Sequence, residues 1–364
     1  MDILQAKQTV IDAGKELLEC GLIVRTWGNI SCRISDTQFV ITPSGKAYEG
    51  LTPDDIVIVN IEDLSYEGNI KPSNEKGIHA DCYKARADVN FVIHTHQSNA
   101  SALSVLQQDV VSGIESEFLG DVIPCAAYGL PGQPKLRQGV NDVLARSDSK
   151  AIMMAHHGAV CMGANYDEAF AVANELERVC GEYIESKYKR PQFKHNVEAS
   201  KSEFKNGVIH YTDSYWDVDL DPEAMNLSPE QCIHRDIYKA YPKFKNIIHC
   251  ADNDVVEVSS AGKKVKPYLD DFAQLVGINL KCASNENQLI RKLRYRNGVL
   301  LKDKGGYCCA NDEYNASAVE IVMKKNCKAM LDTQNLGKIK PIKAYECLLM
   351  RVVYKLKYSK QADK

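Results

Sequence analysis

The chain has 364 residues, a net charge of −3 at pH 7 and 13 cysteines. At about 150 residues per domain, this length predicts two domains with a core each, while the near-neutral charge excludes a global basic field for nucleic acid or an anionic membrane surface. No apolar run approaches the roughly 20 residues of a membrane span, residues 1–7 lack the layout of a signal peptide, and no C-x-x-C pair occurs, so a cytoplasmic protein with reduced thiols is expected.

In chain order, residues 3–20 place Val10, Ile11, Leu17 and Leu18 at helical spacing, with Gly21 as a stop. Residues 25–33 and 39–45 read as strand-like segments tied to the turns Gly28-Asn29 and Ser44-Gly45. Small residues at such turns leave backbone N–H groups open, a nest suited to phosphate, although ordinary turns look the same. Residues 55–60 read as a strand. The stretch 71–100 is the most informative. Ser73-Asn74 form a polar turn, Glu75 opens a helical segment, and Phe91-Val92-Ile93 lead as a buried strand into His94-Thr95-His96. Side chains two apart on a strand share a face, so His94 and His96 make half of a divalent metal site, or two satisfied core histidines.

Residues 98–106 read as helix, 107–135 as loop and strand containing Glu115 and Glu117, and 136–146 as helix. A second buried run, Ala151-Ile152-Met153-Met154, ends in His156-His157-Gly158. Neighbouring residues face opposite ways, so one of these two histidines can join the first pair. Residues 165–187 carry a long apolar stripe and predict the longest helix. Residues 188–228 are polar and mixed, with an acidic patch at 213–223, and a boundary is placed there, dividing 1–190 from 191–364.

Beyond it a diverged repeat begins. Residues 230–240 echo 75–85, residues 246–251 echo 90–96, and residues 300–305 echo 153–158. Two copies of this length mean a tandem duplication. Glu75 becomes Glu230, His94 becomes His249, His96 becomes Ala251 and His157 becomes Lys304. With one imidazole left and an ammonium expected at the third ligand position, the second copy should hold no zinc. No counterpart of the Gly-Asn and Ser-Gly turns is recognisable in it.

The ordered motifs T-W-G-N-I-S, T-P-S-G, S-N-E, H-T-H and H-H-G resemble the class II aldolase/adducin family, and the resemblance covers residues 3–187. It implies a three-layer α/β/α fold with a largely antiparallel central sheet. It implies Zn²⁺ held by His94, His96 and His157, Glu75 as the residue that abstracts a proton, and phosphate bound by Gly28, Asn29, Ser44, Gly45, Ser73 and Asn74. Asn74 stands where the fuculose-phosphate enzymes carry a second Ser. Glu117 falls where some members place an acid that reaches a neighbouring subunit's site. The implied activity is cleavage of a ketose 1-phosphate, a small-molecule sugar phosphate, to dihydroxyacetone phosphate and an aldehyde. Epimerase, dehydratase, decarboxylase and a non-catalytic adducin-like module share the fold. A homo-oligomer, a dimer of pseudo-tetrameric shape, is the expected assembly.

Overall fold

The structure, a computed structural model, describes residues 2–211, 214–219 and 227–358. The chain divides into two compact units: Met1–Arg190 with Asp332–Lys340 and Val353–Lys364, and Pro191–Leu331 with Pro341–Val352. Residues beyond Leu331 are thus shared between the units. Of the acidic patch at 213–223, Asp213 and residues 220–223 lie outside the described residues, and residues 214–219 form a strand.

The first unit is built from helices α1 (Ile3–Glu19), α2 (Lys76–Ala85), α3 (Ser98–Ser104), α4 (Pro134–Leu144) and α5 (Tyr166–Lys187). Its strands are β1 (Asn29–Arg33), β2 (Gln38–Ile41), β3 (Val57–Asn60), β4 (Phe91–Thr95), β5 (Val110–Val111), β6 (Val122–Ile123), β7 (Cys125–Ala126), β8 (Ala151–Met154) and β9 (Ala159–Gly163). Seven of the strands form one sheet in the order β3-β2-β1-β4-β9-β8-β7, antiparallel except for the β7–β8 pair. Helices α2 and α4 bury Ile78, Tyr83, Leu136 and Val140 against one face, where Phe39, Val92, Met154 and Val160 meet them. Helices α1, α3 and α5 pack on the other side. The expected three layers are present. Local chemistry explains the element ends: Asn165 caps α5 by accepting from the Glu168 N–H at 3.0 Å, and Pro134 opens α4 at a position where its missing N–H costs nothing.

The second unit repeats this order. Its strands are β10 (Ser200–Lys205), β11 (Val208–Tyr211), β12 (Ser214–Asp219), β13 (Asn246–Cys250), β14 (Cys282–Ala283), β15 (Gly298–Leu301) and β16 (Gly305–Ala310). Their sheet order, β12-β11-β10-β13-β16-β15-β14, maps strand for strand onto the first, down to the parallel pair at the same edge. Helices α6 (Pro229–Ala240) and α9 (Glu286–Leu293) cover one face through Ile237, Tyr238 and Leu289. On the opposite side α7 (Asn253–Ser260) and α10 (Glu313–Thr333) approach β16 closely: a Cβ added to Gly306 would lie 2.3 Å from Met323 Sδ. Short α8 (Asp270–Leu275) and α11 (Ala344–Val353) complete the unit. The strands β10–β12 supply the counterpart of β1–β3 that the repeat in the sequence left unread.

Candidate active site

Three elements meet at the C-terminal end of β4, the middle strand of the first sheet. Strand β4 ends in His94 and His96. The turn between β8 and β9 carries His157, and it closes because His156 adopts φ 62° while the His157 N–H donates to Met154 O at 3.0 Å. That turn needs glycine at Gly158: a Cβ there would lie 2.1 Å from Thr95 O and 3.2 Å from the His94 ring. The third element is the start of α2, with Glu75 at its N-cap. A fourth piece, the turn at Gly28 (φ 110°), runs so close behind His94 that a Cβ would stand 2.7 Å from its carbonyl oxygen.

The ligand atoms of His94, His96 and His157 lie within 4.8 Å of one another, and all three residues are buried. The His94 and His157 rings stack at 4.8 Å, and His94 Nε2 is 3.0 Å from His96 Nε2. The Glu75 carboxylate spans the pair, with Oε2 3.3 Å from His94 Nε2 and Oε1 3.2 Å from His157 Nε2. His94 Nδ1 lies 2.9 Å from the Ala159 carbonyl. A carbonyl only accepts, so that nitrogen carries the proton, and the neutral ring turns the lone pair of Nε2 toward His96 and Glu75. Imidazole lone pairs and a carboxylate converging on one point fit a cation, and three neutral nitrogens suit zinc. The structure therefore joins His157, not His156, to the first pair. His156 faces Tyr128 instead, its ring edge-on at 5.2 Å.

Burial alone would raise the Glu75 carboxyl. When His94 and His157 are protonated, their charge and the hydrogen bonds from His157 and Asn29 outweigh it and hold the carboxyl well below the ordinary range. Asn29 Nδ2 donates to Glu75 Oε2 at 2.9 Å. Behind Asn29 stands His79, buried on α2, its Nε2 2.5 Å from Asn29 Oδ1. Burial and charge at His94, with Glu75 opposing, push His79 down to about 3, so it is neutral.

The candidate phosphate residues form a second group. The turns 42–45 and 71–75 are tied together: Ser44 N–H donates to Lys71 O at 2.9 Å and Ser73 N–H to Thr42 O at 3.0 Å. Ser73 Oγ accepts from the Glu75 N–H at 3.2 Å, which links this pair of turns to the histidine site, and Gly45 takes φ 74°. Asn74 borders Gly132, where an added Cβ would lie 3.3 Å from its Cβ. The Asn29 side chain is spent on Glu75 and His79. Glu117 is exposed on the loop between β5 and β6 and makes no hydrogen bond or ion pair to the histidine group.

The equivalent place in the second unit differs in an unexpected way. Glu230 lies 3.0 Å from His249 Nδ1 and 3.2 Å from His234 Nε2. The Lys304 ammonium does not occupy the third ligand position: the side chain is exposed, and the Lys304 carbonyl accepts from His249 Nε2 at 2.6 Å. The expected repulsion by Lys304 is thereby corrected. Tyr307 fills the space. Its ring stacks on His249 at 4.6 Å and 8°, as the His157 ring stacks on His94 at 4.8 Å and 14°. Its hydroxyl donates to Glu230 Oε2 at 2.8 Å. Tyr307 reproduces both contacts of His157 without a metal-binding nitrogen. Residues 42–56, which carry the Ser44-Gly45 turn, have as counterpart only residues 212–213 between β11 and β12.

His79 and Tyr307 were missed in the sequence. The signal for His79 was present: Ile-His-x-Asp-x-Tyr-Lys-Ala occurs at residues 78–85 and again at 233–240. Tyr307 had none, because it stands three positions beyond the aligned Lys304.

The family described as "Class II Aldolase and Adducin N-terminal domain" matches residues 8–184 and again 205–331. The chain belongs to this family. It does so twice, with one matched region in each of the two units described above. A 5-methylthioribulose-1-phosphate/5-deoxyribulose-1-phosphate aldolase of Escherichia coli O45:K1 is 35% identical over 192 residues, 50% of this chain and 85% of that protein. An L-fuculose phosphate aldolase of Escherichia coli O6:H1 is 34% identical over 177 residues, 48% of this chain and 80% of that protein. Among solved structures, an L-fuculose 1-phosphate aldolase aligns at 27% identity over 50% of this chain and 86% of its own, with a TM-score of 0.46. Among the described residues no helix is long and apolar enough to cross a membrane.

Proposed function

We propose that the chain is a zinc-dependent aldolase that cleaves a ketose 1-phosphate to dihydroxyacetone phosphate and an aldehyde. The observation that carries this reading is the convergence of His94, His96, His157 and Glu75 in a member of this family. The sugar-phosphate aldolase names of the relatives support it. His94, His96 and His157 would hold the zinc through ring nitrogens, and the His94–Ala159 hydrogen bond fixes the tautomer this requires. Zinc, when bound, supplies a Lewis acid that polarises the oxygens of the reacting ketose. The Glu75 carboxylate, ionised at rest, takes the proton from the carbon beside the carbonyl in the condensation direction and returns it in cleavage.

The tied turns serve the phosphate. Ser73 Oγ accepts from the Glu75 N–H and keeps its own proton for a phosphate oxygen. In this reading Ser44, Gly45 and Asn74 would bind the phosphate together with Ser73, with Gly28 and Asn29 on the side of the histidines. A phosphate anchored there sets the distance from the substrate's reacting carbon to Glu75. The second copy, with neither the three ligands nor the segment 42–56, is in this reading not catalytic. The working form is a homo-oligomer in which Glu117 is offered to a neighbouring subunit; light scattering tests it.

The experiment is elemental analysis followed by a cleavage screen on ketose 1-phosphates, read by release of dihydroxyacetone phosphate. Expected are bound zinc, cleavage of a phosphorylated ketose, competition by inorganic phosphate and poor use of the unphosphorylated sugar. Zinc binding without release of dihydroxyacetone phosphate from any ketose 1-phosphate overturns the aldolase reading.

A further inference from the structure

We propose that His79 is a positioning residue for the Glu75 carboxylate, acting through the Asn29 amide at the inner end of a one-way chain of hydrogen bonds. The proposal rests on the reading of Glu75 given above. The chain runs from Tyr83 OH to Ser31 Oγ at 2.6 Å, from Ser31 Oγ to His79 Nδ1 at 2.6 Å, from His79 Nε2 to Asn29 Oδ1 at 2.5 Å, and from Asn29 Nδ2 to Glu75 Oε2 at 2.9 Å. Ser31 and His79 are fully buried.

Its direction follows from the far end. Asn29 sets its Nδ2 against Glu75 Oε2 and its Oδ1 against His79 Nε2, and an amide oxygen only accepts while an amide nitrogen only donates. A neutral imidazole has one N–H, which Oδ1 claims at Nε2. Nδ1 is then an acceptor and takes the Ser31 hydroxyl proton, and the Ser31 oxygen accepts from Tyr83. Every donor points toward Glu75. With His79 removed, nothing on this side prevents the Asn29 amide from rotating and setting its oxygen against the carboxylate. A hydrogen bond to a charged group would then be exchanged for a repulsion.

The duplication supplies an internal control. Of the three ligands the second copy keeps one, as His249. It keeps the carboxylate and the side chains behind it: Ser202 Oγ to His234 Nδ1 at 2.7 Å and His234 Nε2 to Glu230 at 3.2 Å, with Tyr238 OH 3.0 Å from Ser202 Oγ while donating to the Ser202 carbonyl at 2.8 Å. There Ser200 stands where Asn29 stands, because it pairs with His249 as Asn29 pairs with His94; its Oγ lies 3.3 Å from both His234 Nε2 and Glu230 Oε1, and the imidazole also reaches the carboxylate directly. The Tyr–Ser–His chain therefore accompanies the carboxylate and not the metal ligands. In the first copy the Asn29 amide fills that bridging position and reaches a carboxylate that also borders the histidine site.

The test uses the full chain loaded with zinc and four variants: His79→Leu, His79→Gln, Ser31→Ala and Tyr83→Phe. Zinc per chain, kcat and KM are measured. In protein labelled with 15N-asparagine, the Asn29 Nδ2 proton shift reports whether that amide still donates to a carboxylate, independently of turnover. In His79→Leu, kcat should fall by about 10- to 100-fold, the range seen for outer-shell partners, with KM and zinc unchanged and the Asn29 shift moved toward a free amide. His79→Gln, whose amide N–H can still reach Oδ1, should restore most of kcat and the shift. Ser31→Ala and then Tyr83→Phe should show progressively smaller losses. An unchanged Asn29 shift in the variants overturns the proposal, as does a loss of kcat that tracks loss of zinc. A wild-type protein that binds zinc and cleaves no ketose 1-phosphate defeats the aldolase reading alone, and the shift then still decides the positioning. If His79→Leu does not fold, the Gln and Ser31→Ala variants carry the same comparison.

Discussion

The two units share one sheet order and differ at one corner of it. In the first, three imidazoles and Glu75 converge at the end of β4. In the second, Tyr307 lies on His249 and bonds Glu230. The difference teaches that loss of a metal site need not leave a hole. A half-buried carboxylate beside the one retained imidazole still gains from a partner, and the second copy supplies one from a neighbouring strand. What holds the carboxylate from behind, the Tyr–Ser–His chain, is the same in both.

The comparison can be broken most sharply at the carboxylates. Glu75→Gln keeps the size and removes the base, and turnover should fall by roughly 10²- to 10⁴-fold, the usual worth of general acid–base catalysis, with zinc retained. The matching change in the second copy, Glu230→Gln, should leave kcat unchanged; steady-state kinetics on both variants checks the pair, and equal losses would make the copies functionally alike. At the ligands, His94→Ala and His157→Ala should lose zinc by elemental analysis, and His156→Ala, whose ring faces Tyr128, should keep it. Metal retained in His157→Ala would reassign the turn.

A constructive version follows. Ala251→His, Lys304→His and Tyr307→Val together restore the ligand set and clear the ring, and the zinc content per chain should double. No gain in zinc would mean that the backbone of the second copy, and not its side chains, excludes the ion. The smallest effect is expected for Tyr307→Phe, which keeps the stack and removes one donor to Glu230. Denaturant unfolding should show a loss of about 0.5–1.5 kcal/mol, the usual net worth of one hydrogen bond, with turnover unaffected. A loss near zero would mean that His234 and His249 satisfy the carboxylate by themselves.

Much of this was legible in the sequence, and the exceptions have physical causes. Strand β4 was readable because Phe91, Val92 and Ile93 form an apolar run ending in polar ligands, and the choice of turn at 156–158 followed from its histidines and glycine. The three layers were implied by motif order. Strands β10–β12 were not read: they are amphipathic, with Ser200, Ser202 and Glu203 among them, and the segment that makes β1–β3 recognisable, residues 42–56, has no equivalent there. The role of the Asn29 side chain was hidden for a different reason. Its neighbours His79 and Glu75 lie about fifty residues away in sequence, so its bonding depends on the β1–α2 packing. Tyr307 escaped because its ring reaches its place through the pairing of His249 with Tyr307 across β13 and β16, a register no motif records.

That pairing also separates the two halves of the chain in their dependence on nutrition. On the zinc reading, the first copy would draw the occupant of its histidine corner from the medium, and a chelator or a zinc-poor cell could take it away. The second is plugged by a residue encoded in its own strand, which neither dilution nor starvation removes. On that reading every chain would carry one lobe that waits for its metal and one that is finished when translation ends.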